Sequence, residues 1–516
     1  IVSMDILFYS FIFILQSAIN YYNIIIVKAK ILFYNNNNQR RDYMTFRDDF
    51  LKHIEKTTIY RLSKSTGIER TKLQRIKCGQ KLPTREELEI ICKELSLTPD
   101  ERDAIFQELE IANIGEDKYK SRTYTKNFIE ELYNIFNSEP QNEIITNIVN
   151  LNVEGTYTTA NSSDTSALIN NFISSEASKK NNIFIYNTSA VGNMFDNIYS
   201  KILNRPNLTV TQIIGIKPHN DNFENYYENI DIISKVYPVF LSDTDYHAYY
   251  YYDKVMENSM FPLTLVSDNY TLMISYDLKY AMLTDDKSIV DISKSVFNEK
   301  VSKSYSLIND ITALSDYTGI YIDHYKKYNN ARLISIEYEP CPFPYIEPDL
   351  IKQLVYNELA EYDEIIQRCI EIRDLYNKAK HNQLYFTKEG VLSFLKKGRI
   401  AEIPEIVYKP IPLNERINIL HRLCYDARVE KSKELHIIKD EKLKVPKNLR
   451  YCGQGQINDF LLLLPKKTEK PSIFKLNECG FAKPFYDFAS HLCDTDMVLS
   501  NDESIEFIEN CIKDRL

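Results

Sequence analysis

Gly67, Gly79, Pro83 and Pro99 fall within a short stretch of a chain that holds only 12 glycines and 18 prolines in 516 residues. Between such breakers no long helix or continuous strand can run, so the segments they leave must pack as short helices. The expected helices are 45–55, 58–66, 69–77, 84–95 and 99–110. Gly67 supplies a turn between the second and third, Gly79 ends the third, Pro83-Thr84 caps the fourth, and Thr98-Pro99 opens the fifth with proline at its first position. Apolar residues recur at helical spacing through all five: Phe46, Phe50, Leu51 and Ile54; Ile59 and Leu62; Leu73 and Ile76; Leu88, Ile91 and Leu95; Ile105 and Leu109. These faces can close one small core, so residues 44–112 are expected to form an all-α domain.

Charge separates this domain from the rest. The whole chain carries −9 at neutral pH, which by itself disfavours a nucleic-acid partner. Counted by segment, however, residues 57–81 hold seven bases against one acid, a net +6, whereas residues 82–117 hold eleven acids against three bases, a net −8. A basic island on an acidic protein is the footprint of a small DNA-reading surface.

The run Thr58-Ile59-Tyr60-Arg61-Leu62-Ser63-Lys64-Ser65-Thr66-Gly67-Ile68-Glu69-Arg70-Thr71-Lys72-Leu73-Gln74-Arg75-Ile76-Lys77-Cys78-Gly79 resembles the helix-turn-helix of the Cro and phage-repressor family. The match includes the turn Gly67, the apolar Leu73 and Ile76, the Gly-Gln-Lys exit before Pro83, and the helices downstream, about 65 residues in all. Ser63 departs from the usual Ala, and Lys77-Cys78 from the usual acidic residue or Asn. In that family the third helix enters the major groove and the helix before it crosses the backbone. The resemblance therefore implies that Arg70, Thr71, Gln74 and Arg75 face base edges, with the arginines suited to guanine N7 and O6. It implies that Thr58, Arg61, Lys72, Lys77, Gln80 and Lys81 meet phosphates, which position the domain without conveying sequence. Such domains bind as two-fold dimers, so the implied partner is a double-stranded DNA operator held by a homodimer.

Upstream, residues 6–27 are apolar but are interrupted by Gln16, Asn20 and Asn23, and no basic residue precedes them. A signal peptide would lack its charged start and the apolar run is broken, which leaves a transmembrane anchor as the alternative to the reading that follows. Asn35 to Asn38 form a homopolymer, and Arg40-Arg41-Asp42-Tyr43 can be encoded by a ribosome-binding stretch just before Met44. Residues 1–43 are thus expected to be a non-native upstream extension. The nine cysteines (78, 92, 341, 369, 424, 452, 479, 493, 511) include no CxxC pair and are odd in number. Reduced thiols in a cytoplasmic protein are expected, not a disulfide frame or a zinc site.

After a helical connector, 113–142, the texture changes to alternating strands and helices, and an α/β C-terminal region follows. Strands are expected at Ile144–Val153, Ile183–Tyr186, Leu208–Ile216, His247–Tyr252, Leu263–Val266 and Leu272–Tyr276. Helices are expected at Thr165–Ser178, Asn193–Leu203, Asn222–Val236 and Ser288–Val301. These make one lobe, 143–338. The proline-rich joint at Glu339-Pro340-Cys341-Pro342-Phe343-Pro344 then leads into one long helix over Pro348–His381, within linking segments that end at 412. A second α/β lobe fills 413–516. Leu283 to Ile292 can be laid on Leu499 to Ile508, an echo pointing to two related lobes, each with a Ser or Thr and acids just before a helix.

Tandem α/β lobes are loosely similar to the phospholipase D superfamily, but its paired His-x-Lys motifs are missing. His324-Tyr325-Lys326 is the lone instance, and phosphodiester chemistry by that route needs two histidines. The similarity implies a catalytically dead scaffold, and no enzyme activity is expected. No phosphate-binding glycine loop, HExxH or GxSxG occurs, and Gly453-Gln454-Gly455 is too short to mean more than a turn, so no cofactor or metal is expected. His421, His436 and His491 are scattered. Tyr249 to Tyr252 would place two rings on each face of a strand, as packing or as a binding wall.

The expected protein is a multidomain, sequence-specific transcriptional regulator, with a five-helix reading head and a C-terminal region that senses an effector ligand or protein partner and dimerises. The first alternative is a defence or antitoxin-like protein that binds a partner and autoregulates its own gene, and the second is an enzyme within residues 143–516. No membrane partner is expected.

Overall fold

Side-chain caps start the helices where the sequence places polar residues ahead of apolar runs. In the computed structural model, residues 46–515 are described apart from 56, 138–153, 188–194, 204, 217–225, 253–259, 312–313, 328–331, 360, 379–381, 401–402, 404, 448, 454–459, 466–472 and 477–481. The expected extension, 1–43, and strand, Ile144–Val153, lie outside the described residues. The chain divides into two compact units, 1–120 and 121–516.

In the first unit α1 spans 46–54, followed by α2 (Ile59–Thr66), α3 (Arg70–Lys77), α4 (Arg85–Glu94), α5 (Pro99–Ile114) and the start of α6 (Glu116–Asn137). Thr84 and Thr98 each close a capping box with the glutamate three residues on, Glu87 and Glu101, which satisfies orphan N–H groups at both helix starts. The fifth helix runs four residues past the expected end, to Ile114, and Gly115 caps it. One core joins all five helices, with Phe50, Leu73, Ile76, Leu88 and Ile91 fully buried.

The second unit holds two mixed sheets. The first contains β1 (Thr156–Thr159), β2 (Asn182–Asn187), β3 (Thr209–Ile216), β4 (Asp245–Tyr252), β5 (Leu263–Val266), β6 (Thr271–Ile274), β7 (Ala281–Thr284) and β8 (Tyr305–Ser306). Its helices are α7 (Ser162–Ser178), α8 (Phe195–Ile202), α9 (Tyr226–Phe240) and α10 (Lys287–Ser302). The second contains β9 (Ile308–Ile311), β10 (Ile334–Glu337), β11 (Asn382–Thr387), β12 (Lys433–Ile438), β13 (Arg450–Gly453), β14 (Phe460–Pro465) and β15 (Ile473–Leu476). Around it lie α11 (Leu314–Lys326), α12 (Pro348–Leu354), α13 (Tyr362–Tyr376), α14 (Lys388–Lys397), α15 (Leu413–Tyr425), α16 (Ala482–Leu492) and α17 (Asn501–Lys513).

The strand orders are β1-β7-β6-β5-β2-β3-β4-β8 and β12-β11-β10-β13-β14-β15-β9. Read from opposite ends, they are wired alike. Each begins with a strand and a helix, then makes a parallel trio through helical crossovers: β2-β3-β4 in one, β10-β11-β12 in the other. Each then folds three antiparallel strands back beside the trio's first strand, and the last of these pairs with the opening strand, β7 with β1 and β15 with β9. After one more helix the chain returns to the trio's last strand, through β8 on β4 and through a single bridge from Val498 to Ile438. Residues of both sheets share one apolar core, including Ile214, Leu265, Ile336 and Tyr451.

Three expectations change. The second sheet takes β9 and β10 from before residue 339, so the boundary expected there cuts across hydrogen-bonded strands. The long helix expected over Pro348–His381 is two helices, because at Val355 the chain leaves the helix to bridge Tyr408. The echo of Leu283–Ile292 in Leu499–Ile508 lays α10 on α17, whereas the wiring sets α10 against α16. Both aligned segments carry the same local signal, an Asp286 cap and a Ser500–Glu503 capping box, which any helix start can carry.

Candidate nucleic-acid interface

The turn between α2 and α3 is fixed by its own side chains. Gly67 takes φ +73° and its N–H donates to Ser63 O at 3.1 Å, a left-handed closure that glycine accepts without strain. Ser63 Oγ donates to Ile68 O at 2.6 Å, so the serine that departs from the family's alanine stitches α2 to the residue leading into α3. At the far end Gly79 takes φ +68° and a side chain there would meet Arg47 Cδ at 3.0 Å. Arg47 Nε in turn donates to Lys77 O at 3.2 Å. Nothing in the sequence pattern marked Arg47 as the clamp on this helix end.

Leu73 and Ile76, both 0% exposed, set the inward direction of α3. At 100° per residue, Thr71, Gln74, Arg75 and Cys78 fall on the opposite side. Arg70 sits on the flank of the first turn. All five are exposed, and among the described residues no carboxylate pairs with Arg70 or Arg75. Gln74 Nε2 lies 3.6 Å from Cys78 Sγ, a contact weak enough for the amide to exchange it for a base edge. The four residues expected to read bases are thus brought onto one free surface.

The phosphate set is split. Thr58 caps α2, its hydroxyl accepting from Arg61 N–H at 3.2 Å, and its own O–H remains able to donate outward. Arg61, Lys77, Gln80 and Lys81 are exposed. Lys72, expected at a phosphate, instead forms an ion pair with Glu87 of α4. Its position on the flank of α3 turns it toward that helix. Burial alone would push the Glu87 carboxyl up, but Lys72 and the Thr84 N–H outweigh it and hold it below its ordinary value. Tyr60 on α2, which the sequence pattern does not single out, is 61% exposed.

The remaining sequence features scatter. His324-Tyr325-Lys326 lies on α11, with His324 and Tyr325 buried and Lys326 paired to Glu371 at 3.1 Å. Of Tyr249 to Tyr252 on β4, Tyr250 is buried while Tyr251 stacks on Tyr186 at 6.0 Å. His436 is buried in the second sheet and His491 lies 3.3 Å from Asp494. Gln454 and Gly455 lie outside the described residues. Among the described residues the cysteines are free, no group of three His, Cys, Asp or Glu side chains converges as a metal site, and no helix is long and apolar enough to cross a membrane.

No family model matches the chain, and no curated protein does. Two solved structures show weak, partial likeness. One is TrmBL2, an archaeal chromatin protein whose structure shows a novel mode of DNA binding, at 12% identity and TM-score 0.20, covering 42% of this chain and 69% of that one. The other is phosphatidylserine synthase of Haemophilus influenzae Rd KW20, at 9% identity and TM-score 0.23, covering 75% of this chain and 98% of that one. Neither likeness is close enough to carry an argument.

Proposed function

We propose that the chain is a sequence-specific DNA-binding transcriptional regulator, with α3 as its reading helix and the α/β region as its sensing and dimerising part. The observation that carries this reading is the outer face of α3. Thr71, Gln74 and Arg75 stand exposed opposite a fully buried pair with Arg70 exposed on the flank, and neither arginine has a carboxylate partner among the described residues. Unpaired arginines on a helix that the fold holds outward are suited to guanine edges, and the basic residues around them to phosphate. Dimerisation would place two such heads about one DNA turn apart. The shared wiring of the two sheets supports reading the α/β region as two related lobes of a phospholipase D-like scaffold.

Footprinting of the full chain on the DNA upstream of its own gene tests this. A two-fold symmetric protected site is expected. Arg75→Ala should cost about 1–3 kcal/mol and relax specificity at one base pair, whereas Lys77→Ala should weaken binding to all sequences and lower the salt slope by about one. Uniform weakening by both substitutions would overturn the assignment of roles, and absence of protection in a folded sample would overturn the operator.

A further inference from the structure

The basic set around α3 contains one cation that is already engaged. Lys72 stands about 100° round from the buried Leu73, on the flank away from Arg70 and Lys77. From there it reaches the first turn of α4, where its ammonium pairs with Glu87. The two side chains are only 24% and 20% exposed, so the pair is screened less than one at the open surface. Arg61, Lys77 and Lys81, assigned to phosphates with it, form no ion pair among the described residues.

Glu87 is tied to its own helix start. Its Oε2 accepts from Thr84 N–H at 3.0 Å, and its N–H donates to Thr84 Oγ1 at 3.3 Å. The carboxylate therefore stays where it is whatever the lysine does. Two arrangements are open to Lys72 when DNA arrives. Turning to a phosphate would release about one counterion, but would leave the Glu87 carboxylate without its cation beside a polyanion. Staying on α4 brings the pair to the DNA as a neutral unit, with no such repulsion.

We propose that Glu87 is a positioning residue of the DNA-reading head: it holds Lys72 against α4, off the phosphates, and so keeps the head one phosphate contact below what its basic residues allow. The inference rests on the regulator reading for the site it concerns, but acts on the part of binding that carries no sequence information. With one phosphate contact fewer, the base edges met by Arg70 and Arg75 supply a larger share of the affinity. Binding also depends less steeply on salt.

Salt titration of DNA binding by the full chain tests it, on the duplex protected in the footprint and on a non-operator duplex of equal length. Glu87→Gln is the informative change, because glutamine three residues after the cap still closes the capping box and keeps the start of α4. It frees Lys72. Both duplexes should then be bound about three- to tenfold more tightly near 0.15 M salt, with log K steeper against log salt by about 0.9. The ratio between the two duplexes should stay at the parent's value. A merely structural loss would weaken binding instead. Adding Lys72→Gln should remove the gain and return the slope to that of the parent. An unchanged or shallower slope in Glu87→Gln, or a gain that survives Lys72→Gln, would overturn the inference. Should Glu87→Gln not fold, lysine acetylation of the parent with and without DNA, read by mass spectrometry, decides the same point. The duplex should protect Lys77 and Lys81 but not Lys72, and equal protection of all three would overturn it. The expected change of slope on both duplexes, in a chain that does not prefer the upstream one, would keep this inference and lose the operator.

Discussion

The two parallel trios share one wiring but differ in what they bury. Among the described residues of β2, β3 and β4, the one fully buried polar side chain is Gln212; in β10, β11 and β12 there are Ser335, Glu337, Asn382, Gln383, Thr387, Lys433 and His436. Since the first trio reaches the same strand order with almost none, polar interiors are not what specifies the topology. The apolar alternation and the crossover helices suffice, and the polar groups of the second trio are a stability burden carried for another purpose. The sharpest way to break this comparison is to remove one member of the Glu337–Arg450 pair. Arg450→Met should cost about 3–5 kcal/mol in urea unfolding, because Glu337 is left as an uncompensated buried charge. Glu337→Leu together with Arg450→Met should recover most of that loss. A double variant no more stable than the single would mean that the pair is needed for the wiring after all.

The first trio offers the smaller counterpart. Gln212 Oε1 accepts from Tyr199 Oη at 3.1 Å and Tyr246 Oη at 2.5 Å, and burial with the neighbouring Tyr199 raises the Tyr246 hydroxyl well above its ordinary value. Gln212→Leu takes away the acceptor of both and should cost about 1–3 kcal/mol. Adding Tyr199→Phe and Tyr246→Phe should return much of it, as apolar partners replace the stranded hydroxyls. If the triple variant is as unstable as the single, the cost lies in packing and not in the bonds.

The sequence carries the fold unevenly for the same physical reason. Local signals, such as the breakers Gly67 and Gly79 or the Thr84–Glu87 and Thr98–Glu101 boxes, act within a few residues and place the helices of the first unit closely. Strand positions such as Leu263–Val266 follow from alternation in the same way. What pairs with what does not: β9 joins β15 across more than 160 residues, and no local pattern announces it. The site divides likewise. Helical periodicity sets Arg75 and Gln74 outward, but whether Lys72 meets a phosphate or Glu87 depends on α4, and the clamp from Arg47 to Lys77 O spans 30 positions.

The smallest effect, and the finest probe of the contrast, is the acid response of the second sheet. His436 on β12 stacks on Tyr385 with ring centroids 5.2 Å apart, and its Nδ1 lies 3.0 Å from Leu499 O. As that oxygen can only accept, the nitrogen carries the proton and donates. Burial pushes the imidazole below its ordinary value of 6.5, and the bond to Leu499 offsets this only in part. Between the folded value and 6.5 the unfolded chain binds a proton that the native chain does not, so stability falls as the pH drops through that window. His436→Phe keeps the stacked ring and removes the titration. Asp440 and Glu131, both raised by burial, act in the opposite sense but are common to parent and variant. The difference in unfolding midpoint between the two should therefore shrink as the pH falls below 6.5 and hold constant above it. A difference that does not change with pH would mean that His436 is as readily charged in the folded protein as in the unfolded chain, and that this part of the second trio is no drier than the surface.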